Sequence, residues 1–241
     1  MRYGALINAG TIILGGLIGM LGGHLLKENI KETMLKGLGI CTMVIGLGGT
    51  LSKMLIRSGE GFSTQGSVMI ICTMVLGGLL GEALRLEDAL DRFGAWLKVR
   101  TGSTGDGGFI DAFVTTTLVV GIGAMAVVGS INDGLTGDYS ILLVKSLLDL
   151  LFVMILASRL GKGCIFSFIP VLIFEGGVTL LAGLLSPVIT EQAVANLSQV
   201  GSIMILCIGI NIIWPKTFRA GNYLPALVFA VVWALLGLPM T

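Results

Sequence analysis

Long apolar runs dominate this chain, and short connections that hold most of its charged residues separate them. Runs of about 20 apolar residues can cross a hydrocarbon core roughly 30 Å thick. Backbone groups without water must bond within a helix there, and the runs lack the alternation of a β-barrel strand. The pattern predicts eight helical spans, at residues 4–23, 34–55, 66–83, 109–129, 140–158, 163–186, 194–214 and 222–239.

The composition agrees with this pattern. Of 241 residues, 54 % are apolar and 12 % are charged, and the mean hydropathy is +0.97. These values are typical of polytopic membrane proteins. The net charge of +1 does not favour a nucleic-acid partner. We therefore expect an all-α polytopic membrane protein, with residues 1–241 forming one transmembrane domain in the lipid bilayer.

Lysine and arginine residues are distributed unevenly between the two sides of the predicted spans. One side holds eleven of them, at Lys27, Lys31, Lys36, Arg85, Arg92, Lys98, Arg100, Arg159, Lys162, Lys216 and Arg219. The opposite side holds three, at Arg2, Lys53 and Arg57. Because cytoplasmic loops carry the excess of positive charge, this bias predicts that both termini lie outside.

Residues 85–100 have an amphipathic helical pattern. Leu86, Leu90, Phe93 and Leu97 share one helical face, and charged residues occupy the others. Trp96 is suited to the headgroup layer. This pattern predicts an interfacial helix that lies flat on the cytoplasmic surface.

The two ends of the chain resemble each other. NAGTIILGGLIG (8–19) aligns without gaps to EGGVTLLAGLLS (175–186). Residues 37–49 resemble 200–212, and residues 75–81 resemble 231–237, in the same order. Chance similarity is the alternative in a sequence so rich in Gly and Leu. The matches predict that spans one to three (1–84) and spans six to eight (163–241) form two repeats on either side of a polar central pair, 109–160.

The orientation of these repeats bears on function. Equivalent spans are five helices apart, and this odd separation inverts one repeat relative to the other. Inverted repeats are a recurring design of secondary transporters, which place the substrate site at the repeat interface. The alignment sets Asn8 opposite Glu175, so each repeat offers one polar residue at an equivalent position.

Charged residues within the predicted spans are the candidates for function. A charge at a helix centre costs about 2.5–3.5 kcal/mol on insertion scales, and such residues usually face a cavity or a partner. Lys145 and Asp149 are four residues apart on the fifth span, hence on one face. Asp138 is seven residues before Lys145, which predicts one polar stripe of Asp138, Lys145 and Asp149.

The segment GSINDGLTGD (129–138) predicts a break in the helical region before that stripe. Gly129, Gly134 and Gly137 permit backbone conformations that a continuous helix does not use. Asn132 and Asp133 would then line a cavity beside freed backbone groups. The alternative is an external hairpin, with the carboxylates of Asp133 and Asp138 in water.

Glu175 is the sharpest single candidate. It lies about twelve residues into the sixth span, close to the middle of the membrane. A carboxylate at that depth requires a balancing cation or a proton, which suits a coupling group. The alternative is an ion pair with Lys145 that only holds two helices together.

The sequence offers little for catalysis. It contains one histidine, His24, and no hydrolase triad, nucleotide loop or haem site. Gly121-Ile122-Gly123 lies inside a predicted span without a preceding strand, so it is not a dinucleotide loop. The four cysteines lie in apolar runs without CxxC spacing, and we expect them to be buried hydrophobic side chains. We expect neither an enzyme nor a bound cofactor or metal.

The stretch GAMAVVGSINDGLTGDYSILLVKSLLD, with NAGTIILGGLIG and the later FEGG, resembles the YqgA/YdfK-like family of bacterial inner-membrane proteins, a domain of unknown function (554). The likeness covers essentially the whole chain. It implies a multi-pass inner-membrane protein and brings no established activity.

The leading hypothesis is a transporter or permease for a small polar solute or a monovalent cation, coupled to protons or sodium, working by alternating access. Glu175 would exchange the coupling cation opposite Asn8. The other candidates would line the pathway or hold its gate: Asn132, Asp133, Asp138, Lys145 and Asp149. The alternatives are an oligomeric ion channel and a non-transporting scaffold or sensor. Gly15, Gly19 and Gly23 form a smooth strip that suits either packing within the subunit or a homo-oligomer seam.

Overall fold

The structure is a computed structural model that describes residues 3–58 and 61–238, and most of these residues are helical. The helices are α1 Gly4–Gly23, α2 Glu28–Met54, α3 Ser67–Leu84, α4 Leu86–Arg100, α5 Phe109–Gly121, α6 Ala124–Thr136, α7 Ser140–Leu160, α8 Phe168–Leu180, α9 Ala182–Leu185, α10 Glu191–Ile213 and α11 Leu224–Leu235. Two 3₁₀ segments, Lys162–Ser167 and Ala220–Tyr223, precede α8 and α11.

Within the described residues, six helical segments are long and apolar enough to cross a membrane: α1, α2, α3, α7, α10, and α8 together with the 3₁₀ turn before it. The pair α5 and α6 makes a seventh if it counts as one span bent by 63°. The predicted all-α polytopic membrane protein is therefore confirmed. The eighth predicted span, 222–239, is a shorter apolar helix over Ala220–Leu235, and its residue 239 lies outside the described part.

The outer surface of the bundle is apolar, as lipid contact requires. Leu21, Leu79 and Leu184, for example, are each at least 65 % exposed. The four cysteines are free, and only Cys164 is buried, whereas Cys41 is exposed on α2. The expectation of four buried cysteines was therefore wrong, because an apolar side chain on a membrane helix also faces lipid without penalty.

The predicted fourth span is interrupted, at a different place from the predicted break. Residues 109–129 do not form one helix, since α5 ends at Gly121 and α6 begins at Ala124. Gly123 between them has φ 153° and ψ 151°, a region that is essentially reserved for glycine. The segment 129–136, predicted to break, is helical instead. Of the three glycines in the predicted break at 129–138, Gly137 takes a left-handed conformation and ends α6.

A short antiparallel hairpin joins α2 to α3. Strand β1 (Leu55–Ser58) pairs with β2 (Gly61–Thr64), and Leu55 lies opposite Thr64. The apolar pattern did not predict these strands. It also started the second span at residue 34, whereas α2 begins at Glu28, because its first turns are polar and exposed.

Glycines on α1 bring that helix into backbone contact with α7. A Cβ atom built on Gly15, Gly19 or Gly23 would lie 2.6, 2.2 or 2.7 Å from a carbonyl oxygen of α7, belonging to Leu150, Met154 and Ser158 respectively. Only glycine permits this approach. The strip therefore packs within the subunit, which decides between the two roles that its spacing suggested.

Each helix of the first predicted repeat packs against its equivalent in the second. Helix α1 contacts α8, α2 runs along α10, and α3 contacts α11. The α2–α10 contact is close at two equivalent glycines. A Cβ atom on Gly46 would lie 2.5 Å from the Leu206 nitrogen, and one on Gly209 would lie 2.7 Å from the Met43 nitrogen.

Helix α4 follows α3 after Arg85, which has φ 52° and separates the two helices. Its buried face, with Leu97, joins the hydrophobic cluster around Phe109 and Phe113 of α5. Trp96 is 53 % exposed. Its ring stacks on that of Phe93, with centroids 5.7 Å apart, and the Arg100 guanidinium lies over the Trp96 ring.

A polar junction ties α3 and α4 to the segment before α11. Arg219 pairs with Glu82 at 2.6 Å and with Asp88. The Gly221 backbone N–H donates to Glu87 Oε2 at 2.9 Å, and the Glu87 N–H donates to Asn222 Oδ1 at 2.8 Å. Burial raises the pKa of Glu87 above its usual value, and the Gly221 hydrogen bond offsets only part of that rise.

Candidate functional site

Four polar side chains meet inside the helical bundle, where α1, α7 and α8 pack together. Asn8 and Glu175 are completely buried, and Lys145 and Asp149 are 5 % and 6 % exposed. We refer to Asn8, Lys145, Asp149 and Glu175 as the buried cluster. Sequence reasoning named all four as candidates, and the structure brings them together.

Lys145 is the centre of the buried cluster. Its ammonium bonds Asp149, one helical turn further along α7, and lies 3.3 Å from Glu175 Oε1 on α8. It also donates to the carbonyl oxygen of Val120, at 2.6 Å. One cation therefore contacts three acceptors from three helices.

Asn8 holds the Glu175 carboxylate from the opposite side. Its amide nitrogen, Nδ2, donates to Glu175 Oε1 at 2.9 Å and to Oε2 at 3.1 Å. The hydroxyl of Thr11 donates to the Asn8 backbone carbonyl at 2.8 Å. Glu175 is thus oriented by a neutral donor and a charged one.

The charges of the buried cluster do not balance. Lys145 supplies one positive charge, while Asp149 and Glu175 each supply a negative charge when ionised, and Asn8 is neutral. A net negative charge inside a low-dielectric region is costly. One proton or one monovalent cation would neutralise it. A simple ion pair between helices would not leave this excess.

A cavity of about 260 Å³ lies beside the buried cluster. Its walls are mostly apolar, with polar groups at Lys145 and Asp149 and at three hydroxyls of α2 and α10. The lining residues are Thr42, Ile45, Val119, Val120, Ile122, Gly123, Ala124, Met125, Lys145, Leu148, Asp149, Phe152, Ser198, Ser202, Ile205 and Ile208.

The break between α5 and α6 forms part of the cavity wall. The carbonyl of Val120, near the end of α5, accepts from Lys145, and the first residues of α6, Ala124 and Met125, also line the cavity. Helix ends carry partial charges and backbone groups without helical partners. Interrupted helices beside a buried site are a feature of secondary transporters.

The structure separates Asp133 from Asp138, which sequence reasoning had left together. Asp133 is completely buried, and its Oδ2 accepts from the Gly4 N–H at 3.0 Å, at the start of α1. Asp138 is exposed in the turn before α7 and accepts from the Ser140 N–H at 2.9 Å. Hydrogen bonds from the backbone and the side chain of Ser140 lower the pKa of Asp138.

Like Asp133, the predicted positions Asp138 and Asn132 lie outside the buried cluster. Asp138 does not extend the stripe of Lys145 and Asp149, because α7 begins only at Ser140. Asn132 is half-buried on α6, and its backbone carbonyl accepts from the Thr136 hydroxyl at 2.9 Å.

Sequence reasoning missed several groups of the site. The Val120 carbonyl and the hydroxyls of Thr42, Ser198 and Ser202 had no distinguishing pattern. The GxG at 121–123 was the one available signal, since glycines within an apolar run can mark an interruption. Within the part of the chain that the structure describes, no three His, Cys, Asp or Glu side chains form a metal-binding group.

Comparisons with known proteins cover nearly the whole chain. A family profile described as "Protein of unknown function (DUF554)" matches residues 3–235. The chain is 31 % identical over 235 residues to "Uncharacterized protein YqgA" of Escherichia coli (strain K12), across 96 % of this chain and 95 % of that protein. It is 24 % identical over 230 residues to "Uncharacterized membrane protein YdfK" of Bacillus subtilis (strain 168), across 95 % and 94 %. No solved structure matches.

Proposed function

The chain belongs to the family described as protein of unknown function DUF554, and we propose that it is a small secondary carrier. It would move a small polar solute or ion by alternating access, coupled to a proton or to sodium. The observation that carries this proposal is the meeting of two buried carboxyl groups, Asp149 and Glu175, with the single ammonium of Lys145 next to a cavity.

The charge excess gives the buried cluster a reason to exchange a cation. In the proposed cycle, Glu175 takes up the coupling proton or cation, and Asn8 holds its carboxylate in place. Lys145 and Asp149 form the polar wall of the cavity, so uptake at Glu175 alters the field that a bound solute experiences. The mostly apolar remainder of the cavity suits a solute with an apolar body and one polar or charged group.

The repeat alignment supports the carrier proposal independently of charge. Asn8 and Glu175 are equivalent in that alignment and hydrogen bond each other. Thr42 is equivalent to Ile205 and Ile45 to Ile208, and all four line the cavity. The cavity would therefore lie on the axis that relates the two repeats, where inverted-repeat carriers bind their substrates.

In the proposed arrangement the protein lies in the bacterial cytoplasmic membrane with both termini outside. Helix α4 then lies flat along the cytoplasmic surface. Its exposed Trp96 and its charged residues support this position. The buried cluster and the broken helix α5–α6 are at mid-membrane depth in this arrangement.

A stability screen followed by transport assays tests this proposal. Purified protein is heated with a panel of small amines, amino acids and organic acids, because a bound solute raises the apparent melting temperature by mass action. Each hit is then offered to proteoliposomes under a proton or sodium gradient. We expect saturable, gradient-driven uptake without unitary currents. Unitary currents in planar bilayers would indicate a channel, and an absence of both hits and flux would contradict the proposal.

A further inference from the structure

A second group of buried oxygens lies between α6 and α8, apart from the buried cluster. Its members are Ser130 Oγ, Asp133 Oδ1 and Thr179 Oγ1, and none of them has a hydrogen-bond partner among the described residues. Ser130 and Asp133 are completely buried, and Thr179 is 3 % exposed. Buried polar atoms in proteins are nearly always satisfied, so three unpartnered oxygens in one region point to a ligand.

A backbone contact brings together the helix segments that carry these oxygens. A Cβ atom built on Gly134 would lie 2.4 Å from the Thr179 carbonyl oxygen, so α6 and α8 touch at that level. Asp133 precedes Gly134, and Ser130 lies one turn earlier on the same helical face. Asp133 also bonds the Gly4 N–H of α1. Asp133 therefore lies where α1, α6 and α8 meet.

The register between α1 and α8 places this group beside the buried cluster. Gly4 lies one turn from Asn8 along α1, and Thr179 lies one turn from Glu175 along α8. The Asn8–Glu175 hydrogen bond therefore sets Thr179 across from Gly4. One turn away in the opposite direction, Ile12 and Val171 pack in an apolar cluster. The extra oxygens thus occur on one side of the Asn8–Glu175 pair.

The electrostatics of this region favour a cation. Asp133 is a buried carboxyl group that no lysine or arginine among the described residues pairs with. It lies in the last turn of α6, and Thr179 lies in the last turn of α8, so the negative ends of two helix dipoles meet here. The positive end of α1 offsets part of this field through its N–H bond to the other carboxylate oxygen.

We propose that Asp133, Ser130 and Thr179 bind a sodium ion. One carboxylate, two hydroxyls and the nearby Thr179 carbonyl are hard oxygen donors, and a single carboxylate matches a monovalent charge. Calcium takes six to eight oxygen ligands and magnesium usually keeps several waters, so a small, dry set of donors with one carboxylate suits sodium better. A role for this sodium in the carrier, beside the proton or cation taken up at Glu175, rests on the proposed function, but sodium binding does not, and the two are tested separately.

The test measures thermal unfolding of the full-length purified protein in NaCl, KCl and choline chloride at equal ionic strength. We expect sodium to raise the apparent melting temperature by several degrees in a saturable manner. Ser130→Ala and Thr179→Val should each weaken the sodium effect at least tenfold in concentration, and Asp133→Asn should remove it. Ser146→Ala and Thr50→Val are matched controls, because these buried hydroxyls bond carbonyls of their own helices at 2.7 and 2.9 Å.

A Glu175→Gln variant separates this site from the buried cluster, and it should keep the sodium effect. The proposal is overturned if sodium has no specific effect, if Ser130→Ala and Thr179→Val leave it unchanged, or if only Glu175→Gln removes it. Asp133→Asn loses a contact with α1, and that variant does not need to fold for the test to succeed. Ser130→Ala and Thr179→Val decide the outcome without it. Sodium binding without any solute flux would support this site and contradict the carrier.

Discussion

Asn8 and Glu175 stand 167 positions apart and hydrogen bond each other inside the bundle, at 2.9 and 3.1 Å. The same two residues coincide when the first span is aligned with the sixth. In the proposed inverted repeat, this pair would lie on the axis that relates the two units. Lys145 reaches this pair from α7, outside both repeats, and adds the one positive charge.

Replacing Lys145 tests whether the buried cluster depends on its only cation. Lys145→Gln leaves two carboxylates without a positive partner, so we expect a loss of about 3–5 kcal/mol in the free energy of unfolding. Chemical unfolding in mixed micelles measures this loss. Adding Asp149→Asn to the same variant should recover part of it, because it removes one of the two uncompensated charges.

Lys36→Gln is the matched control for that measurement. Lys36 forms an i,i+4 pair with Glu32 at 2.7 Å, and both side chains are 57 % exposed. Exposed pairs contribute little, so this variant should unfold like the wild type. An equal loss from Lys36→Gln and Lys145→Gln would argue against a special role for the buried ammonium.

The break between α5 and α6 depends on Gly123. An alanine there must adopt a conformation that side chains avoid, at a cost of about 1–3 kcal/mol, although no atom lies within 4 Å of the added Cβ. Gly123→Ala should therefore lower thermal stability by strain alone. Gly121→Ala also meets no atom within 4 Å and has no positive φ, so it should be neutral. Equal melting temperatures would show that Gly123 tolerates a side chain.

The contact between α1 and α7 requires glycine on sterical grounds. Gly19→Ala places a methyl group 2.2 Å from the Met154 carbonyl oxygen, so the helices must separate, at a cost of about 1–3 kcal/mol. Gly10→Ala, on the same helix, meets nothing within 4 Å and should be neutral or slightly stabilising. Thermal unfolding of both variants measures the difference, and a well-tolerated Gly19→Ala would contradict this packing.

The junction around Glu87 should make stability depend on pH. The folded protein raises the pKa of Glu87 through burial, so between the ordinary and the raised pKa the folded state binds more protons than the unfolded state. Stability contributed by this group is therefore present at low pH and is lost as pH rises through that window. Glu87→Gln should flatten that part of a melting-temperature profile against pH. An unchanged slope would assign the dependence to other groups.

Much of this architecture is visible in the sequence because lipid imposes simple requirements. Apolar runs must be helices, and a charge at depth must find a partner. That reasoning predicted Lys145, Asp149 and Glu175 as site residues, and the alignment of the two ends of the chain predicted Asn8. Asp133 and Asp138 could not be separated, because both belong to a glycine-rich segment whose helical end at Gly137 depends on backbone conformation.

The position of the helix break could not be predicted for a related reason. Gly37-Leu38-Gly39 and Gly121-Ile122-Gly123 look alike as sequences. The first is helical within α2, whereas the second lies where α5 ends and α6 begins. At the second, the Lys145 ammonium donates to the Val120 carbonyl next to the break, a tertiary contact that the sequence pattern does not show. The cavity likewise depends on ordinary apolar residues of several helices, which carry no individual signal.

Uptake by a Glu175→Gln variant is the most direct test of whether Glu175 couples transport to a cation gradient. The solute found by the stability screen is offered to proteoliposomes that contain either wild-type or variant protein, with and without an imposed cation gradient, after both proteins are shown to be folded by their melting transitions. We expect gradient-driven uptake by the wild type and none by the variant. Equal gradient-driven uptake by the two proteins would contradict it.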